Sequence, residues 1–183
     1  MKIELPITRE KSQKLRSGDT VELSGEMYVC RDAVHKKLIE ALDRGEELPL
    51  NLENQTIYYM GPSPARPGQA IGSAGPTTSG RMDSYVPRLM KAGLKGMIGK
   101  GPRNQEVKDS IIKHGGVYFA AIGGAGALIS RAIKKAQVVA YPELGPEALR
   151  KITVEDFPVV VVNDMHGGDL YIAAKEKYRT SGK

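Results

Sequence analysis

Apolar residues along this 183-residue chain follow two alternating patterns. Short runs rich in β-branched and aromatic residues predict strands over 20–23, 28–30, 57–60, 96–98, 117–121, 138–140 and 159–162. Apolar positions three and four apart predict helices over 32–43, 82–91, 105–114, 127–135 and 146–151. From Ile57 onward strand and helix alternate, the signature of an α/β fold with a largely parallel sheet. The β-branched run at 159–162 is the pattern of a strand covered on both faces. The N-terminal third is more polar and reads as a β subregion, with hairpin-like strands around Ser24-Gly25, packed on the α/β layer. Pro87 conflicts with an uninterrupted helix over 82–91, so that helix starts near Tyr85 or is kinked there.

The periodicity stops between Gly61 and Asp83, where Gly61, Gly68, Gly72, Gly75 and Gly80 mix with Pro62, Pro64, Pro67 and Pro76. Neither a helix nor a central strand tolerates that density of breakers, which predicts a long irregular loop. Loops of about twenty residues in compact domains are usually functional or disordered. This one ends in Thr77, Thr78, Ser79 and Arg81, immediately before an apolar helical pattern. Hydroxyls, free N–H groups and a guanidinium gathered at a helix start describe an anion site.

The length fits one domain over residues 1–183 with a sizeable core. No apolar run approaches the ~20 residues of a membrane span, and MKIELPITREK carries no secretory core, so no membrane association is expected. A net charge of +6 raises nucleic acid as a partner, yet the Lys and Arg residues are scattered, with two Phe and no Trp among them. No basic stripe with interleaved aromatics is present, so no nucleic-acid binding is expected. The single Cys30 forms no internal disulfide and fits a reducing, cytoplasmic setting. Alone it holds neither an iron–sulfur cluster nor a Cys-based zinc.

Four further groups are candidates for chemistry. Arg31-Asp32-Ala33-Val34-His35 stands where a strand gives way to a helix; Asp32 suits an N-cap and Arg31 the mouth of the fold. Gly99-Lys100-Gly101 follows a strand at the end where open α/β sheets bind ligands. Gly123-Gly124-Ala125-Gly126 half resembles a dinucleotide fingerprint but fits G-x-G-x-x-G in neither register, which counts against an NAD-binding oxidoreductase domain. Asp164, His166 and Asp169 either bind a metal or tie a loop. Together, Arg31, Arg81, Lys100 and the Thr77 and Thr78 hydroxyls suit a small polyanion, since arginine forks bind carboxylates bidentately and several cations suit a dicarboxylate.

The sequence also resembles a known family. Arg31-Asp32-x-x-His35, Gly61-Pro62, Gly72-Ser73-x-Gly75-Pro76-Thr77-Thr78-x-x-Arg81-Met82-Asp83, Lys100-Gly101, Gly123-Gly124-Ala125 and Asp156-Phe157-Pro158 look like the β subunit, or C-terminal domain, of class I iron–sulfur hydro-lyases. That family includes class I fumarase and L(+)-tartrate dehydratase. The resemblance runs from about Gly18 to Tyr171 and implies a swivelling β/β/α domain. It implies reversible dehydration of a 2-hydroxydicarboxylate such as malate, at a [4Fe–4S] cluster held by a separate α subunit, in an α2β2 hetero-oligomer. It further implies Thr77 as the base that takes the C3 proton, Arg31 and Arg81 as carboxylate ligands, and Lys100 and Thr78 as further substrate contacts.

Overall fold

The computed structural model describes residues 1–65, 67–68, 70–121 and 126–180. Among these, seven strands form one sheet: β1 (Lys2–Glu4), β2 (Thr20–Val29), β3 (Thr56–Tyr58), β4 (Gly96–Gly99), β5 (Val117–Ala121), β6 (Ile133–Ala140) and β7 (Leu149–Asn163). Six α-helices accompany them: α1 (Arg9–Gln13), α2 (Asp32–Asp43), α3 (Val86–Lys91), α4 (Gln105–His114), α5 (Gly126–Ala132) and α6 (Leu170–Thr180). Strands β2 to β5 pair in parallel, and β7 pairs antiparallel with both β5 and β2. Those five strands therefore close into a barrel. β1 extends it in parallel alongside β2, and β6 runs antiparallel against the first half of β7.

The α/β expectation holds, but the sheet is mixed rather than largely parallel. The connection 141–148 between β6 and β7 is too short for the crossover a parallel pair requires. The residues around Ser24-Gly25 form no hairpin; they lie inside β2, which passes through them with a register irregularity against β7. The helix expected over 146–151 is absent. A 3₁₀ segment, Pro142–Glu147, breaks at Gly145, and β7 starts at Leu149 with burial recurring at Leu149, Ile152 and Val154. The helix expected over 127–135 ends at Ala132, and the strand expected over 138–140 is the tail of β6. Pro87 sits in the first turn of α3, where its missing N–H costs nothing, so the helix starts at Val86.

The pleat sorts the core into two clusters. Tyr58, Met60, Ile98, Val117 and Phe119 point into the barrel with Leu23, Met27, Phe157 and Val161. Their neighbours Ile57, Tyr59, Met97 and Tyr118 point outward, beneath Val34, Leu38, Leu89, Val107 and Ile111 of the covering helices. No helix among the described residues is long and apolar enough to cross a membrane.

Candidate active site

The strands β2, β3 and β4 run in parallel, so their carboxyl ends open on one rim. Arg31 leaves β2 there, Lys100 leaves β4 there, and the loop from Gly61 returns there to deliver Thr77 and Thr78. The loop enters through a bridge between Pro76 and Met60. Thr77 N–H then donates to the Tyr59 carbonyl at 2.7 Å, Lys100 N–H to the Thr77 carbonyl at 3.3 Å, and Ser79 N–H to the Lys100 carbonyl at 2.9 Å. The segment thus wedges between the ends of β3 and β4, with Thr78 bridged to Lys100.

Thr78 does not lead directly into the helix expected from sequence. Ser79–Met82 is a single 3₁₀ turn, and α3 begins only at Val86. The hydroxyls therefore gain little from a helix dipole, and charge at the rim comes from side chains.

Beneath this wedge lies a buried polar network. A Cβ on Gly99 would meet Ser79 Oγ at 2.0 Å, so glycine there lets the Ser79 side chain lie against β4. Ser79 Oγ is 2.9 Å from the Tyr118 hydroxyl, which donates to the Gly101 carbonyl at 2.8 Å. One phenol thus ties the Ser79 turn to Gly101, the residue after Lys100. Burial pushes the Tyr118 phenol up from its ordinary range, so it stays a hydroxyl. The Arg103 side chain is fully buried, 5.4 Å from the Tyr59 ring centroid and 4.9 Å from that of Tyr118. Its Nε donates to Asp83 Oδ1 at 2.7 Å, while Asp83 Oδ2 accepts from Asn104 N–H at 2.7 Å. Asn104 in turn caps α4 by accepting from Val107 N–H at 2.9 Å. Sequence reasoning assigned no role to Asp83, Arg103 or Tyr118. The signal that could have found the first two is position: Asp83 closes the Thr77–Asp83 motif and Arg103 stands three residues after Lys100.

The arginines sit differently. Arg31 occupies the cap position of α2 and Asp32 is the first helical residue, so Asp32 is not the N-cap. Its carboxylate instead accepts from Arg81 Nη2, with the other oxygen 3.9 Å from Arg31 Nε. Arg31 Nη2 also lies 3.3 Å from Glu147 Oε1. A Cβ on Gly61 would meet Arg31 Nη1 at 2.4 Å, so only glycine lets this guanidinium lie against the backbone. Arg31 is 22% exposed and Arg81 52%.

Behind Arg31, His35 is wholly buried, with its ring edge-on to Tyr59 at 5.3 Å. Its Nδ1–H donates to the Arg31 carbonyl at 2.8 Å. Burial first, aided by the Arg103 charge, pulls its pKa down to about 4, so the ring is neutral at pH 7. The Cys30 thiol beside it is pushed up by burial and stays protonated.

The remaining candidates resolve into structure. Asp164 accepts from the N–H groups of Ser17, His166 and Gly168 at 2.7 to 3.0 Å, and these bonds outweigh burial in holding its pKa low. His166 Nε2 bonds the Gln13 carbonyl and Asp169 pairs with Lys108, so the three residues tie a loop. Among the described residues no three His, Cys, Asp or Glu side chains gather as metal ligands would. The Gly123-Gly124-Ala125 turn lies outside the described residues.

The sequence profile described as Fumarase C-terminus matches residues 1–174. The chain is 48% identical over 153 residues to "Fumarate hydratase class I, aerobic" of Salmonella typhimurium, covering 82% of this chain and 26% of that protein. It is 44% identical over 165 residues to "Fumarate hydratase 2" of Leishmania major, covering 89% of this chain and 29% of that one. It is 36% identical over 177 residues to a Methanocaldococcus jannaschii protein named as a subunit beta of L(+)-tartrate dehydratase, covering 93% of this chain and 91% of that protein. The chain therefore spans about a quarter of the fumarate hydratases it resembles, and nearly all of the tartrate dehydratase subunit.

Proposed function

From a chain that belongs to the Fumarase C-terminus family, we propose the β subunit of an iron–sulfur hydro-lyase, which reversibly dehydrates a 2-hydroxydicarboxylate such as malate to fumarate. In this reading the barrel is the swivelling β/β/α domain of that family, and the complex works in the cytoplasm. The observation that carries it is the convergence of Thr77, Thr78, Lys100, Arg31 and Arg81 on one rim.

The [4Fe–4S] cluster does not fit this chain. Its one cysteine is buried and held protonated, and the described residues supply no ligand set. The reading therefore gives the cluster to a separate α subunit in an α2β2 assembly, and this chain's own residues bind the substrate and move the proton. Arg31 and Arg81 hold the two carboxylates by charge-assisted hydrogen bonds. Thr77 Oγ1 accepts the proton from C3 as the C3–H bond breaks. A threonine hydroxyl is a poor base, so it depends on nearby cations to stabilise the anionic form, and Lys100, just past the end of β4, is bridged to the neighbouring Thr78. As the proton leaves, charge develops on the adjoining carboxylate, where the guanidiniums stabilise it. Departure of the C2 hydroxyl belongs to the partner's side of the site.

A second reading, the β subunit of L(+)-tartrate dehydratase, is favoured by one observation: the relative that this chain covers almost end to end carries that name. Anaerobic co-purification with the cluster-bearing partner tests both. The chain alone is expected to be folded, colourless and inactive, and the complex brown and active. The ratio of kcat/KM on malate to that on tartrate decides between substrates. Iron–sulfur absorbance from this chain alone after reconstitution would overturn the shared-site reading.

A further inference from the structure

The two arginines share a single carboxylate, and the two sides of that carboxylate differ. Asp32 Oδ2 accepts from Arg81 Nη2, a made hydrogen bond. Asp32 Oδ1 faces Arg31 Nε at 3.9 Å, about 1 Å beyond hydrogen-bond length. Both of these facing atoms are buried, and among the described residues neither has a hydrogen-bond partner. A buried donor and a buried acceptor left unmade beside each other are each short of the bond that would offset their desolvation.

On its other side Arg31 meets a second acid. Glu147 Oε1 lies 3.3 Å from Nη2, so Arg31 hangs between two acids. Glu147 comes from the 3₁₀ segment Pro142–Glu147, which is also tied to α2 by the Lys37–Glu143 pair at 3.3 Å. We propose that Asp32 is a positioning residue that couples Arg31 and Arg81 into one clamp, closed when a ligand carboxylate replaces Glu147 on Arg31. This rests on the dicarboxylate reading of the site. With Arg31 settled on Asp32, the same carboxylate accepts from both guanidiniums and fixes their separation. The second carboxylate of the ligand then meets an Arg81 already in place. In the closed clamp, with Glu147 displaced from Arg31, the cations Arg31, Arg81 and Lys100 less Asp32 leave two positive charges, matching a dicarboxylate rather than a monoacid.

A double-mutant cycle in the complex with the α partner tests this. Arg31→Lys and Arg81→Lys are made singly and together, with Asp32 present and with Asp32→Asn, and kcat/KM on L-malate is measured. With Asp32 present, the pair is expected to cost about tenfold less than the product of the single losses, because breaking one arm already releases the other. With Asp32→Asn, the coupling is expected to fall below about twofold. Equal coupling in both backgrounds overturns the role of Asp32 and leaves the functional reading standing. A wild-type complex that turns over neither malate nor tartrate overturns that reading, and the clamp with it. Should Asp32→Asn fail to assemble, hydrogen exchange at the Arg31 Nε–H of the wild-type complex gives the answer by NMR. Saturating L-malate is expected to slow it about tenfold; an unchanged rate overturns the proposal.

Discussion

The threonine–lysine side of the rim and the arginine side are built on opposite principles. Thr77, Thr78 and Lys100 are fixed through backbone hydrogen bonds, and below them Tyr118, Arg103 and Asp83 form a polar network sealed from solvent. Arg31 and Arg81 are held by side-chain ion pairs, with Arg31 also lying against Gly61, and one is partly and one half exposed. The difference matches what each side is asked to do in the proposed reaction. Proton removal needs an acceptor held to a fraction of an ångström, which backbone bonds supply. Carboxylate capture needs donors that exchange an internal acid for an external one, which surface ion pairs permit at little cost.

If that division is right, the largest effect belongs to the base. Thr77→Val keeps volume and the backbone bonds, so fold and substrate affinity should persist while kcat falls roughly 10²–10⁴-fold. Thr78→Val is the control and should cost less. Exchange of the malate C3 proton with solvent deuterium at the wild-type rate in Thr77→Val would move the base elsewhere.

Next in size is the ion pair beneath. Asp83→Ala strands a fully buried guanidinium, and breaking such a pair costs about 3–5 kcal/mol of stability, read by urea unfolding of the chain. A loss under about 1 kcal/mol would show that the network is not what stiffens this side.

His35 tests the floor of the arginine side by pH. Its folded pKa, about 4, lies below the ordinary 6.5, so the unfolded chain binds the proton first. Its contribution is complete above pH 6.5, is lost as pH falls toward 4, and amounts to about 3 kcal/mol. His35→Gln should flatten that limb of the stability–pH curve; an unaltered limb would assign the loss to other groups.

The smallest effect sharpens the contrast most. Arg81→Lys should change stability by under about 0.5 kcal/mol, because the side chain is half exposed. It should nonetheless lower kcat/KM in the complex by about ten- to a hundredfold, since lysine cannot form the bidentate fork. A stability loss as large as that of Asp83→Ala would erase the distinction between the two sides.

How much of this could be read from the chain depended on whether a signal was local. Helices α2 and α4 have the bounds their 3.6-residue periodicity predicts, and β5 those of its apolar run. The rim residues were legible because breakers and hydroxyls crowd one stretch and because the motifs resemble a family. Asp32 was visible but misassigned: its place at a helix start suggested a cap, and only the fold brings Arg81, forty-nine positions on, to compete for it. Tyr118 carried no signal, being one apolar-looking residue in a strand whose pleat happens to aim it at Ser79. The barrel itself was illegible, because its closure rests on pairings such as Thr20 with Val160 that leave no trace in either segment.

That closure sets the order in which the molecule can assemble. Strands β2 to β5 can zip up as each emerges, since consecutive parallel neighbours are joined by single helical or loop excursions. The long strand β7 must then dock against both free edges at once, one of them some 140 positions earlier in the chain. Contacts of that separation make folding slow and leave unpaired edges exposed meanwhile. Until β7 arrives, the open edges of β2 and β5 form a slot that fits the same strand of another copy. Refolding at rising protein concentration should therefore divert chains into exchanged dimers, with the strand that seals the ring as the piece traded.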